Sequence, residues 1–269
     1  MLAPPCTADQ LIRYRWWVGH QAAFGLWRVL AETLTTITQS PSPSPASLAA
    51  AARMFDCSTL LYLYTGSCTT AQYNQQLRPA MRDCHPAFSG EWARDFTPLP
   101  ALVQKARHEF PGERTASLME ASRRSVRVHM AVADELVPEG LSLLQASGHR
   151  PGGQPPRHLQ ALYDSFFLVD RDRVCRQSVT MQLVRRLTQI ACDLTHRDPG
   201  APAPRPPALP PACRPDHEGR TDRVLTGIAE RPVDVLWNTA RHLAKGHDPV
   251  VPAAEPSERQ PGHEQEPSL

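Results

Sequence analysis

Apolar side chains at Leu11, Tyr14, Trp17, Val18, Phe24, Trp27, Leu30 and Leu34 recur at nearly helical intervals between residues 8 and 38. That spacing puts them on one broad stripe of a single long helix. Thr7 or Asp9 stands where an N-cap is needed. His20 falls on the same face as Trp16, Phe24 and Trp27, at offsets of four, four and seven. A helix of this length with an apolar stripe has to be covered by other elements. No later segment shows the strict alternation of a half-buried strand, and no unit of 20–50 residues repeats. The expected fold is therefore all-α.

The prolines of Ser40-Pro-Ser-Pro-Ser-Pro45 end the first helix. A second, rich in alanine and leucine, is expected from Leu48 to Tyr64 with Ser47 as its cap. Thr69 or Thr70 opens a third through Tyr73, Leu77 and Met81, with a kink or boundary predicted at Pro79. The segment Arg82–Phe96 reads as irregular. A short helix is expected over Pro98–Phe110 and a long one over Glu113–Gln145, broken near Pro138 and Gly140. The run Glu120, Arg123, Arg124 and Arg127 reads as a solvated face, although an inward arginine there would hold a carboxylate. After a Gly/Pro loop, His158–Thr195 is helical with a break near Asp164, and Asp170–Arg173 reads as another solvated charge run. Residues 199–215 carry eight prolines in seventeen positions and are expected to form a linker without packed structure. Two short helices follow, Asp222–Ala229 and Val233–Leu243. The domain is expected to span 1–244, with 245–269 a disordered tail.

Composition narrows the function classes. Hydrophobic residues make up 41%, enough for a sizeable core, and the formal charge is +2. No basic surface for nucleic acid is expected, and no apolar run is long enough to span a membrane. Seven cysteines lack paired spacing, and Met1–Pro5 lacks the pattern of a signal peptide. Free thiols and a cytoplasmic location are the expectation.

Dinucleotide and phosphate loops, the Gly-x-Ser-x-Gly elbow, the His-Glu-x-x-His helix and zinc-spaced Cys/His clusters do not occur. His242 and His247 are five apart and do not share a helical face. What remains is a set of histidines in apolar or aromatic settings: His20, His85, His129 and His196. Inward imidazoles in a helical protein are compatible with heme, which needs one axial nitrogen and an apolar pocket. They are equally compatible with core histidines bonded to backbone.

One stretch combines polar chemistry, aromatics and turn formers more densely than any other. Arg78-Pro79-x-Met81, followed by His85-Pro86-x-Phe88-Ser89-Gly90-x-Trp92-x-Arg94-Asp95, resembles the heme-dependent L-tyrosine hydroxylases of actinobacterial natural-product pathways. These belong to the heme-dependent aromatic oxygenase superfamily, whose best-known member is tryptophan 2,3-dioxygenase. His20-Gln21-Ala-Ala-Phe-Gly-Leu26-Trp27 is similar to the dioxygenase's His-Gln…Leu-Trp signature, with one more residue between Gln and Leu. Phe166–Gln177 also looks like the hydroxylases. Together these stretches cover about residues 15–196.

The resemblance implies a helical enzyme with histidine-ligated heme b that uses hydrogen peroxide to hydroxylate L-tyrosine, or a derivative, to the catechol L-DOPA. His85 would be the distal acid/base, with Ser89 beside it. His196 would be the axial ligand of the heme iron, with Asp198 orienting its other nitrogen, and His20 and His242 the fallback ligands. Phe88 and Trp92 would line the cofactor. Arg78, Arg82 and the Tyr73 hydroxyl would hold the substrate, since bidentate geometry favours arginine for a carboxylate. A homodimer is expected from the same resemblance. Two alternatives stand beside this reading: a dioxygen-using oxygenase of tryptophan or another indole, and a heme-free helical partner-binding protein.

Overall fold

The computed structural model describes residue 5 and residues 7–137, 141–148, 154–195, 207–214 and 222–245. Among them there are helices and turns and no strand. The α-helices are α1 (Ala8–Gln39), α2 (Pro45–Thr65), α3 (Thr70–Gln72), α4 (Arg78–Cys84), α5 (Leu99–Glu109), α6 (Ala116–Leu136), α7 (Leu143–Ala146), α8 (Arg157–Phe166), α9 (Arg176–Thr195), α10 (Arg223–Glu230) and α11 (Pro232–Lys245). None is long and apolar enough to cross a membrane.

α1 is the axis of the molecule. Its cap is Thr7, whose hydroxyl accepts the Gln10 N–H, and Asp9 sits in the first turn, where a negative charge suits the helix dipole. Val18, Leu26, Leu30 and Leu34 on its stripe are fully buried, each removing apolar surface worth roughly 1.5–3 kcal/mol from water. α2 begins earlier than its alanine run suggests. Proline is tolerated in a first turn, so Pro45 starts the helix and Ser44, not Ser47, caps it.

Side-chain pairs give the relative directions of the helices. Trp27 Nε1 donates to Ser58 Oγ, and Gly19 abuts Thr65, so α2 runs back along α1. A side chain on Gly19 would overlap Thr65, so the glycine lets the two helices approach closely here. α9 also runs antiparallel to α1: Arg15 pairs with Asp193 at 2.8 Å, Gly25 faces Leu183, and Glu32 pairs with Arg176 at 3.3 Å. α6 lies alongside α2 in the same direction, with Arg124 on Asp56, His129 stacked on Tyr62 and Val132 against Gly66. α11 packs on α2 and α9.

Several expectations change. The solvated face on α6 holds for Glu120 and Arg123, which pair with each other at the surface. Arg124 instead turns inward, 5% exposed, and bonds Asp56 at 2.7 Å and Asp222 at 3.0 Å. Asp222 is the N-cap of α10, so this one guanidinium ties α10 to α2 and α6. Within the proline-rich segment, residues 207–214 are packed. Pro207 and Pro210 are buried, Pro211–Cys213 forms a 3₁₀ turn, and Leu209 and Cys213 pack against Leu63, Val128 and Leu225. Arg171 is likewise paired, as described below. The rest of the proline-rich segment, Pro138 and Gly140, and the expected tail from residue 246 onward lie outside the described residues.

The third helix is the most irregular. Thr69 and Gln72 form a capping box for α3, but residues Tyr73–Leu77 then widen into a π turn. The Arg78 N–H reaches five residues back to the Tyr73 carbonyl. The proline ring of Pro79 would clash with a carbonyl four residues earlier in an ordinary helix; widening the preceding turn relieves that clash, and α4 begins at Arg78, where a kink or boundary was expected.

Candidate functional site

His20 occupies the aromatic face of α1. Its ring stacks on Phe167 at 4.3 Å and 15°, tilts against Trp16 at 4.4 Å and meets Phe24 edge-on. Its Nδ1 lies 2.6 Å from the Trp16 carbonyl one turn back. A carbonyl only accepts, so Nδ1 carries the hydrogen and Nε2 keeps a bare lone pair. Burial depresses the His20 pKa to about 4, with the Trp16 carbonyl opposing, so the ring is neutral near pH 7.

Phe167 is placed by the end of α8. Leu168 takes a left-handed backbone, φ 57°, and ends the helix there, slightly later than the break expected near Asp164. The last carbonyls of α8 are then satisfied from α1: Trp17 Nε1 donates to Phe166 and Gln21 Nε2 to Phe167, both at 2.8 Å.

The segment 82–96 joins this aromatic shell through Phe88. It is irregular, as expected, apart from a 3₁₀ turn at Gly90–Trp92. Phe88 is buried against Phe166 at 4.7 Å, Tyr163 at 5.2 Å and Trp92 at 5.6 Å. His85 meets Trp92 edge-on at 5.1 Å. Its Nδ1 accepts the Ala87 N–H at 3.0 Å, so its hydrogen is on Nε2. The Ser89 hydroxyl accepts the Glu91 N–H and caps the 3₁₀ turn. Arg94 and Asp95 anchor the segment. Arg94 and Arg171 both bond the buried carboxylate of Asp164, at 2.9 and 2.7 Å, and Arg171 also grips Asp95 at 2.7 Å. Two cations and two anions thus close on themselves and fasten 82–96 to α8 and the loop after it.

The π turn faces the N-terminal half of α1. Tyr73 is buried with its ring 6.0 Å from Trp16, edge-on, and burial raises its pKa, against the pull of the Arg78 guanidinium beside its hydroxyl. Arg78 Nη2 donates to the Leu141 carbonyl at 2.8 Å. Gln76 Nε2 donates to Asp9 at 2.5 Å. Two polar atoms here, Trp16 Nε1 and Gln76 Oε1, are buried without a hydrogen-bond partner among the described residues, while Arg78 also hydrogen-bonds the Tyr73 hydroxyl. A native interior leaves few such atoms, and each calls for an explanation. Arg82 is exposed and stands apart from this group.

Of the residues singled out from sequence, the fold therefore joins His20 to Tyr73 through Trp16, and Arg78 to Tyr73 directly, while His85, Phe88 and Trp92 reach the same rings through Phe166 and Phe167. His196 and Asp198 lie outside the described residues. His242 Nδ1 faces an Arg53 nitrogen at 3.2 Å; arginine only donates, so its Nε2 is protonated. Trp16 and Gln76 were missed: their spacing on separate helices carries no signal until α1 and the π turn meet. A half-open groove of about 410 Å³ also borders Phe24, with Gln21, Arg28, Arg171 and Arg186 among its lining.

A heme asks for an unprotonated imidazole and an apolar, aromatic enclosure. His20 fits the first requirement, since ligating histidines commonly fix their other ring nitrogen on a carbonyl or carboxylate. Trp16, Phe24 and Phe167 fit the second.

Comparison with known proteins bears on the same part of the chain. Residues 3–121, somewhat under half of the protein, match the family model described as SfmD 3-methyl-L-tyrosine peroxygenase. The matched span holds His20, the π turn, Arg78 and the whole 82–96 segment. This similarity supports an oxidoreductase of the peroxygenase kind acting on a small molecule. No curated protein matches the chain.

Proposed function

We propose that this protein is a histidine-ligated heme peroxygenase that hydroxylates the aromatic ring of L-tyrosine, or of a ring-substituted tyrosine such as the 3-methyl compound, to the catechol. The similarity of residues 3–121 to a peroxygenase family supports the reaction type. The observation that carries the cofactor is the bare Nε2 of His20 inside an aromatic shell. A pKa of about 4 suits a metal ligand, which must stay unprotonated, better than a general base, which works best near ambient pH.

A heme held on His20 would supply the oxidising chemistry of peroxide, one oxygen going to the ring and the other leaving as water. The chain's own residues do the rest. The Trp16 carbonyl keeps the lone pair of His20 turned outward from its own helix turn. His85 presents an N–H at Nε2, because Ala87 occupies its Nδ1, and so can give a proton to a departing oxygen. Phe88 and Trp92 exclude water from that side. Arg78, beside Tyr73, holds a cation where a substrate carboxylate would bind.

Reconstitution with heme tests the reading. The loaded protein is expected to show a Soret band and to convert L-tyrosine or 3-methyl-L-tyrosine, with peroxide, to a product one oxygen heavier. No Soret band after reconstitution sinks it. A product from tryptophan carrying two oxygens, formed with dioxygen, replaces it with the dioxygenase reading. A Soret band that survives His20→Ala moves the ligand elsewhere and leaves His20 the proton-handling residue.

A further inference from the structure

The groove of about 410 Å³ beside Phe24 is bordered by α1, α9 and the loop that joins α8 to α9. Its lining includes the buried apolar side chains of Phe24, Val179 and Leu183. Two half-buried arginines stand beside them with little compensation. Arg186 Nη1 donates to the neutral Gln189, and among the described residues no carboxylate comes within ion-pair distance of it. Burial and the neighbouring Arg185 pull its pKa down, as expected of a cation short of a counter-charge. Arg28 stands 3.9 Å from Glu32, whose other oxygen serves Arg176 at 3.3 Å. The third arginine of the lining, Arg171, is already matched by Asp95 and Asp164. On the rim, Leu168 is 66% exposed and Val174 37%, and Asp170 and Asp172 are exposed as well.

The chain itself supplies a segment that fits. α2 runs antiparallel to α1 with Ser58 against Trp27, so Arg53, five residues before Ser58, lies level with Glu32, five residues after Trp27. His242, in the last turn of α11, faces Arg53 at 3.2 Å. α11 therefore ends at the same end of the bundle as Glu32 and Arg176, one turn from Arg28 and two residues from Val174. Residues 246–269 follow; they contain the apolar run Val250–Ala254 and carry Asp248, Glu255, Glu258, Glu264 and Glu266 against the lone Arg259. From Lys245 to Glu255 an extended chain reaches roughly 33 Å. Crossing α9, on which α11 packs, takes about 10–12 Å.

We propose that residues 250–259 dock in this groove as an intramolecular strap. Val250–Ala254 cover Leu168 and Val174, Glu255 pairs with Arg28, Glu258 pairs with Arg186, and Arg259 meets the rim carboxylates Asp170 and Asp172. The spacing agrees. Gly25 faces Leu183 across antiparallel helices, so Arg28 and Arg186, three residues beyond each, are offset along the axis by about 9 Å. Glu255 and Glu258 span about 10 Å when extended. Surface ion pairs are individually weak, but the tether holds the segment at an effective concentration of about millimolar order, so weak pairs suffice. The docked strap covers the groove over Phe24, whose ring meets His20 edge-on. None of this depends on heme or on the substrate.

A carbodiimide, which joins a carboxylate to an amine held against it, tests the strap in the full chain. Arg28→Lys and Arg186→Lys each place an amine in the groove and keep the charge. In low salt, peptide mass spectrometry is expected to find Glu255 or Glu258 joined to the amine at position 28 or 186. The yield should fall at least about fivefold in ~1 M salt, where exposed charges are screened within a few ångströms. In a mixture of unlabelled and heavy-nitrogen chains, each joined pair should carry one isotope. An amine at position 28 that joins Glu32 alone shows a reactive but unvisited groove and overturns the strap. Pairs of mixed isotope overturn it too and give the groove to a second copy of the chain. Should either lysine variant fail to fold, Glu255→Gln/Glu258→Gln, which alters none of the described residues, still decides. It should speed amide exchange in residues 168–174 by about fivefold, and unchanged exchange there overturns the inference.

Discussion

His20 and His85 belong to one connected set of aromatic rings, His20 against Phe167 and His85 against Trp92, and are locked in opposite tautomers. His20 gives its Nδ1 hydrogen to the Trp16 carbonyl and is left with a lone pair on Nε2. His85 uses its Nδ1 lone pair on the Ala87 N–H and is left with a hydrogen on Nε2. One can hold a metal; the other can donate a proton. Their supports differ too. His20 rests on apolar packing, between Trp16 and Phe167 on a helix whose stripe is mostly buried. The segment carrying His85 is fastened by charge, through Arg94, Asp95, Asp164 and Arg171. The lesson is that a motif dense in chemistry marks a site without showing which nitrogen in it is free.

The widest separation between the two should come from heme content. His20→Leu is expected to abolish the Soret band of the reconstituted protein, and His85→Leu to leave it intact; the reverse pattern in absorption spectra would invert the comparison. Next in size, His85→Leu should cut peroxide-dependent product formation by about 10²–10⁴-fold at unchanged heme loading, the usual worth of a positioned proton donor. Initial rates by product mass would measure it, and a loss under tenfold would reduce His85 to a structural role.

The difference in support predicts a difference in fragility. Arg171→Met removes the cation shared by Asp95 and by the buried Asp164. Stability to denaturant should fall by about 3 kcal/mol, because an uncompensated buried charge is left behind. An effect under 1 kcal/mol would mean that packing of Phe88 and Trp92 alone holds the segment. On the His20 side the lever is pH. Its folded pKa, about 4, lies below the unfolded value near 6.5, so the unfolded chain binds the extra proton between those values. The stability associated with neutral His20 is therefore complete above pH 6.5 and declines as pH falls toward 4, by at most roughly 3 kcal/mol. His20→Phe should flatten that part of the stability–pH curve; an unchanged slope would show that the ring is not held neutral.

Much of the fold could be read from spacing alone. The long first helix, the cap at Thr7, the break after Gln39 and the helix pair at the end all lie close to where periodicity and prolines put them. The corrections arose where a local pattern had a distant partner. Arg124 looks like one charge in a solvated run, but Asp56 and Asp222, 68 and 98 residues away, draw it inside. Arg171 looks alternating and exposed, but Asp95 lies 76 residues before it. Residues 207–214 look like linker, yet Leu63, Val128 and Leu225 offer them an apolar seat.

The same division runs through the site. By itself the amino-acid order determined that His20 shares a helical face with Trp16 and Phe24, and that His85 stands before a proline in an irregular, aromatic segment, because helical phase and proline geometry act over a few residues. Even the bonds that set the two tautomers are local, four and two residues long. Only the tertiary structure decided that Phe167 would cover His20 and that Gln76 would turn its amide nitrogen to Asp9. Stacking and burial need surfaces from far along the chain, and spacing cannot show which surfaces those will be.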